Sequence, residues 1–196
     1  MDIPSKKPLP IWFLSVPIFF VSAHLLQLAV ILPIEAKFLP NLTEIASIMY
    51  LPNAVRILAT AIIGPRVFFA LFPAILFVTY GELPPDNGLI SKEIFWIAVI
   101  GAGCGPAAYF IVKYYYKHGP SFAISLQNWK PVFLIGILAS LFNSVGLAIV
   151  FRNYFDFETF PLLLGKYFAG DIIGLAVGLV LLVLFFRLIR RESGPE

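Results

Sequence analysis

The sequence predicts an all-α integral membrane protein, a polytopic bundle of about six transmembrane helices. Three observations lead there: 60% of the 196 residues are hydrophobic, only 13% are charged, and the apolar residues fall into six runs long enough to cross a hydrocarbon layer. A soluble domain carries roughly 45–50% apolar and about 25% charged residues. A water-soluble globule of this composition would expose broad apolar patches, which soluble monomers avoid. Lipid is therefore the expected solvent, and residues 1–196 read as a single transmembrane domain.

A helix needs about 17–25 apolar residues to span, and the runs lie near 11–34, 44–64, 66–82, 94–116, 131–151 and 166–189. The first follows Lys6 and Lys7, but it is too long for a signal-peptide core and has no small-residue cleavage site before Glu35. It reads as a retained span. The second and third are separated by Gly64-Pro65-Arg66, where Pro cannot continue a helix and Gly frees the backbone, so a helical hairpin is expected. The third is short, carries Pro73 and ends in Tyr80-Gly81-Glu82; a full span and a re-entrant or tilted segment are both open for it. The fourth begins near Trp96 and ends at Tyr114-Tyr115-Tyr116, the fifth follows Trp129, and Trp12 opens the first. Such rings favour the headgroup layer. The sixth runs into Arg187, Arg190 and Arg191.

Lys and Arg in short loops are retained on the cytoplasmic side. Lys6 and Lys7, Arg66, Lys113 with Lys117 and Lys130, and the last arginines mark alternate junctions, whereas Glu35, Glu44, Glu82, Asp86, Glu93, Asp156 and Glu158 mark the others. Both termini are thus expected inside, in a multi-pass protein of the bacterial inner membrane. Residues 153–163 alternate aromatic and acidic side chains on the outer side; they suit either an interfacial segment or a ligand lid.

Several chemistries drop out. Cys104 is the single cysteine, which excludes an intrachain disulfide or a cysteine-based metal cluster. His24 and His118 have no HExxH-like neighbours, and the glycines near Gly101 do not follow a strand, so neither a zinc hydrolase nor a dinucleotide site is supported. A net charge of +3 with scattered cations does not suggest nucleic-acid binding. No catalytic residue, metal or cofactor is expected, and no enzymatic activity. Asn41-Leu42-Thr43 matches a glycosylation sequon, which matters only in a secretory pathway.

Charges inside the spans are more telling, because each costs at least roughly 2.5–3.5 kcal/mol near the bilayer centre. Arg56 falls in the middle of the second run and Asp171 in the first turns of the sixth. Opposite signs make them each other's most economical partner. A buried salt bridge that fixes helix register and a ligand or signalling site are both consistent with the pair. Pro52 and Asn53 lie one turn before Arg56, which suggests a broken, polar helix whose freed carbonyl needs a partner. Asn143 and Ser144, with His24 and Gln27, are candidates to complete that interior, or to make single interhelical hydrogen bonds.

Gly170, Gly174 and Gly178 recur every fourth residue, a face along which another backbone can pack closely. Gly101, Gly103, Gly105 and Pro106, and Gly136, Ser140 and Ser144, give further small-residue faces. A compact bundle is one use of them; self-association into a homo-oligomer is another.

The stretch Leu51-Pro52-Asn53-Ala54-Val55-Arg56-Ile57-Leu58-Ala59, with Gly64-Pro65-Arg66 and the Pro73-bearing segment after it, resembles the proline-bearing helix, glycine-arginine turn and following helix of the MASE-type bacterial membrane-associated sensor domains. Gly170-Asp171-Ile172-Ile173-Gly174 is similar to the Gly-Asp-x-x-Gly element of that family's last helix. These segments cover under half of the chain, and each motif is short. The resemblance implies a module that senses a signal at or within the inner membrane and passes it to an attached kinase or nucleotide-cyclase domain. This chain departs from the pattern in having fewer spans and no output domain. The expected function is accordingly a standalone sensory or accessory subunit that acts through a membrane or cytoplasmic protein partner. A small-molecule transporter, or its substrate-binding subunit, is the alternative, since six short-looped helices with polar groups near the midplane also suit a solute pocket.

Overall fold

A computed structural model describes residues 10–39, 47–82, 91–116, 129–152 and 160–192. Within them the chain is a six-helix bundle without strands. We number the helices α1 Trp12–Phe38, α2 Pro52–Ile63, α3 Phe68–Glu82, α4 Ser91–Tyr116, α5 Lys130–Phe151 and α6 Phe160–Glu192. Five of the helical stretches are long and apolar enough to cross a membrane. Large apolar side chains such as Phe19, Phe69, Phe77, Phe110, Ile149 and Leu188 stand exposed on the outer faces. That surface suits hydrocarbon, and the chain is a multi-pass membrane protein.

The second run departs from expectation. Only Pro52–Ile63 is helical, 12 residues, or about 18 Å of rise, well short of the ~30 Å hydrocarbon core. Residues 47–51 are irregular. Pro52 sits at the first helical position, where its missing N–H breaks no helical bond, so it starts a helix rather than breaking one. The shortened helix is shielded by protein instead of lipid. Helices α1, α3, α4, α5 and α6 pack in sequence as an arc, and α2 fills it, touching α1, α4, α5 and α6. On one side Ala59 joins Val16, Phe20, Leu71, Ile75 and Ala98. On the other Ile57 and Ala61 join Cys104, Ala108, Ile135 and Leu175.

The reversal after α2 forms as expected at Gly64, whose φ of +84° and ψ of −165° suit only glycine. A short 3₁₀ turn, Pro65–Val67, leads into α3. The two helices diverge, however: α2 packs mainly on α6 and α1, and α3 on α4 and α1, so the expected hairpin is a tight turn without a paired stem. The third run resolves as a full-length helix that keeps Pro73 inside it: Pro65–Glu82 reaches 18 residues.

Helix α1 is longer than the expected 11–34. Its middle contains a π-helical turn, Gln27–Ile31, a one-residue bulge of the kind that re-aims a helix face. Beyond it Glu35, expected at an outer junction, is buried inside the helix. Helix α6 also begins earlier than expected, which places Asp171 three turns in rather than in the first turns. Lys6, Lys7, Asn41 to Thr43, Glu44, Asp86, Lys117, His118, Asp156 and Glu158 lie outside the described residues.

Candidate functional site

The irregular segment 47–51 must satisfy its own backbone, since a bare N–H in a nonaqueous interior costs several kcal/mol. From residue 48 to residue 51 each consecutive N–H finds a partner. Ile48 and Met49 donate to the two carboxylate oxygens of Glu35 at 3.1 and 2.9 Å. Tyr50 donates to the Gly170 carbonyl at 2.9 Å, and Leu51 to Gln27 Oε1 at 3.0 Å. Ser47 closes the set, its hydroxyl donating to Glu35 at 2.8 Å while accepting from Gln27 Nε2 at 2.7 Å. Gln27 and Glu35 are eight residues apart on one face of α1, so this helix holds the segment like a clamp.

The glycine stripe of α6 makes room from the other side. A Cβ at Gly170 would meet the Ser47 carbonyl, at Gly174 it would overlap the Tyr50 carbonyl, and at Gly178 it would strike the Ala54 side chain. The order 47, 50, 54 against 170, 174, 178 shows that α2 and α6 run in the same direction. The stripe therefore receives the chain's own backbone. Gly101 sits against Arg56 and Ile75, Gly105 against Thr60, and Gly136 against Leu175, so these faces are also spent within the bundle. Gly103 is different: a Cβ there would touch only Phe68, at 3.9 Å.

The polar centre forms where α2 enters the arc. Asn53 and Arg56, three residues apart, share a helix face. Asn53 Oδ1 accepts from Arg56 Nη2 at 2.7 Å and Nε at 3.2 Å. Arg56 Nη1 donates to the Gly101 carbonyl at 3.4 Å and to Asn143 Oδ1 at 3.3 Å. Its Nη2 also meets Asp171, at 3.3 Å from Oδ2 and 3.4 Å from Oδ1. Asn143 Nδ2 donates to Asp171 Oδ2 at 2.9 Å. Asn53 Nδ2 reaches the Asp171 carbonyl at 2.8 Å and Ser140 Oγ at 3.4 Å. The expected Arg56–Asp171 pair is thus present, with both side chains buried, inside a network drawn from α2, α4, α5 and α6. A bare pair at this depth would be weakly stabilising, because desolvation offsets its attraction; the surrounding hydrogen bonds tip the balance.

This network does not close the interior. It floors a cavity of about 290 Å³ that rises past Tyr50, Thr79, Leu147 and Tyr167 to Glu82 and Phe151 at the C-terminal ends of α3 and α5. His24 lines the same cavity rather than touching Arg56 or Asp171. Its Nε2 stands 3.0 Å from Glu82 Oε1, and its ring stacks on Phe20 at 6.5 Å. A second, larger groove at the opposite end is walled by Leu58, Ile62, Trp129, Phe133 and Val183 with Arg187 at its edge; it offers almost no polar chemistry.

Of the sequence-derived candidates, Arg56, Asp171, Asn53 and Asn143 meet directly, and His24 joins them through the cavity. Two expectations need correction. Ser144 returns its hydroxyl to the Ser140 carbonyl of its own helix, at 2.8 Å, so it adds nothing to the interior. Gln27 is consumed by the 47–51 segment. Sequence reasoning missed Glu35 and Ser47 as its clamp, Glu82 as the neighbour of His24, and Tyr50 and Tyr167 as walls. It also missed Thr60, one turn after Arg56, whose hydroxyl donates to the Arg56 carbonyl at 2.7 Å. The spacing from Arg56 to Thr60 was a usable signal; the others depend on which helices meet. Comparison with known proteins finds no matching family model, no matching curated protein and no matching solved structure.

Proposed function

We propose that the chain is a solute-binding subunit of the bacterial inner membrane, acting without catalysis as a sensory or accessory component whose state is read by a partner protein. The observation that carries this reading is the cavity above the Arg56–Asp171–Asn143 network. A salt bridge that served only to fix helix register would be covered by packed side chains. Here Arg56, Asp171 and Asn143 all border open space that leads toward one end of the bundle. A ligand there contacts α1 and α3 on one side and α5 and α6 on the other, so its occupancy favours one packing of these helices over another. Only such a difference in affinity between two states transmits a signal. The likeness of Leu51 to Ala59 and of Gly170 to Gly174 to the MASE-type sensors supports the sensory role. The cation-bearing end, with Arg66, Lys130 and Arg187, would face the cytoplasm and the partner.

Purified protein in nanodiscs should retain a small molecule detectable by native mass spectrometry, and Leu147→Trp, which fills the cavity without touching the network, should abolish retention while the protein stays folded. A wild type that retains nothing, and that no small solute stabilises against heating, would overturn the reading.

A transporter is favoured by one separate observation: the half-length α2 and the irregular segment 47–51 lie within the bundle beside the cavity, an arrangement used by secondary transporters at their substrate sites. Uptake that depends on the cavity in whole cells would select it over the sensor.

A further inference from the structure

Arginine inside a membrane cavity suggests an anionic ligand, but the hydrogen bonds point the other way. Arg56 has five N–H groups, and each already faces an acceptor: Nε and one on Nη2 face Asn53 Oδ1, the other on Nη2 faces Asp171, and the two on Nη1 face the Gly101 carbonyl and Asn143 Oδ1. An incoming carboxylate or phosphate would have to break one of these bonds to gain one.

The carboxylates are less committed. An ionised carboxylate can accept about four hydrogen bonds, yet among the described residues Asp171 Oδ1 receives only the 3.4 Å contact from Arg56. Glu82, at the cavity mouth with a side chain 41% exposed, has the His24 ring 3.0 Å from its carboxylate. The charged groups that still have bonding capacity are therefore both acids.

His24 supplies a second, independent observation. It is 5% exposed and borders the cavity, yet neither ring nitrogen makes a hydrogen bond to the described residues. The 3.0 Å approach of Nε2 to Glu82 is a close contact without hydrogen-bond alignment. A buried imidazole in this condition is costly unless something in the cavity bonds to it. Around it stand aromatic faces, Phe20, Tyr50 and Tyr167, which attract cations through the ring quadrupole; Arg56 already lies over Tyr50 at 5.8 Å.

We propose that the cavity is a binding site for a small organic cation, an ammonium group on an apolar or aromatic body, held by Asp171 Oδ1, a His24 ring nitrogen and Glu82. This rests on the solute-binding reading and specifies its ligand class. Several donor hydrogens let an ammonium group bond to more than one of the acceptors that line the cavity, while its body packs on Phe20 and Tyr167. An anion of the same size would face two carboxylates without a free charged donor to offset them.

The test uses the full chain in nanodiscs and three probes of matched shape: phenethylammonium, phenylacetate and phenethyl alcohol. Saturable binding, followed by calorimetry and by the rise in unfolding temperature, is expected for the ammonium alone. Glu82→Gln, at an exposed position that folding tolerates, should weaken that binding at least tenfold. Equal or tighter binding of phenylacetate or of the alcohol overturns the cation class but leaves the cavity a solute site. An ammonium affinity unchanged in Glu82→Gln overturns the assignment of its ligands. If none of the three binds, the cation class also falls, and native mass spectrometry of the same preparation then decides the wider reading. A co-purified anion or neutral metabolite preserves that reading, and an empty protein removes it as well.

Discussion

Two buried polar clusters lie side by side in one half of the bundle, and they do opposite jobs. In the first, Gln27, Glu35 and Ser47 surround an irregular stretch of backbone, and their hydrogen bonds go to its main chain or to one another. In the second, Asn53 joins Arg56, Asn143 and Asp171 around a charge, and the last three border open space. The first cluster is a structural solution to bringing a non-helical segment into a nonaqueous bundle. The second is tied to the first through α2, because residues 47–51 set where Pro52 starts the helix and hence where Asn53 and Arg56 point. A polar residue inside a span does not by itself mark function; what distinguishes the two is whether the side chains serve to hold main-chain N–H groups or to hold a charge beside the cavity.

The largest expected effect is at the charge. Asp171→Ala leaves the Arg56 guanidinium buried without its counter-ion, a change that typically costs about 3–5 kcal/mol. The variant should fail to accumulate in membranes or should unfold at a far lower temperature. Combining it with Arg56→Met removes the orphaned charge and should restore a folded protein, although only in part, because Asn53 Oδ1 and Asn143 Oδ1 then lose the donor that Arg56 supplied. If the double variant is no more stable than Asp171→Ala, the carboxylate is not acting chiefly as a counter-ion. Thermal unfolding of both variants in the same detergent makes the comparison.

At the backbone cluster, Gly174→Val is expected to be nearly as severe. Its Cβ would overlap the Tyr50 carbonyl, and main chain yields less readily than a flexible side chain. Overpacking of this kind costs typically about 1–3 kcal/mol and occasionally more. Glu35→Ala should follow closely, since it strips the acceptor from Ile48 and the shorter of two from Met49, which keeps only the Ser47 hydroxyl at 3.3 Å; an orphaned buried group costs about 1–3 kcal/mol. A hydrogen-exchange measurement should show amides 48 and 49 losing protection in Glu35→Ala while those near Ile135 keep theirs. Uniform loss across both regions would mean that the clamp is not a separable unit.

These two clusters were unequally legible in the sequence. Arg56 and Asp171 stand out because charge within an apolar run is rare and opposite signs seek each other, and the structure brings them together. Glu35 carries the same charge as Asp171 but lies near the end of an apolar run, where an acid ordinarily marks a loop. Its role depends on a π-helical turn that local composition does not announce and on residues 47–51 folding back beside α1. The second run reads as a helix because hydropathy reports how apolar a stretch is, not whether its backbone is helical; Ile48-Met49 and Leu58-Ala59 look alike on that scale. The glycines of α6 were legible as a close-packing face, but not that the partner would be the carbonyls of Ser47 and Tyr50 rather than a second chain.

The smallest predicted effect separates glycines that the sequence presents as equivalent. Gly103 and Gly105 lie two positions apart in one apolar helix. A Cβ at Gly105 would press on the Thr60 hydroxyl at 2.6 Å, whereas at Gly103 it meets only Phe68, in ordinary contact at 3.9 Å. Alanine is favoured over glycine within a helix by about 0.8–1.0 kcal/mol, and at Gly103 nothing opposes that preference. Gly103→Ala should therefore be neutral or slightly stabilising. Gly105→Ala should lower the unfolding temperature, because Thr60 must turn away from the Arg56 carbonyl to which it donates. That disturbance sits one turn from the guanidinium, so Gly105→Ala should also weaken any ligand of the cavity while Gly103→Ala leaves it unchanged. Equal behaviour of the two alanines would show that α2 does not approach α4 as closely as the Thr60 contact requires, and the position of Arg56 beside Gly101 would then need revision.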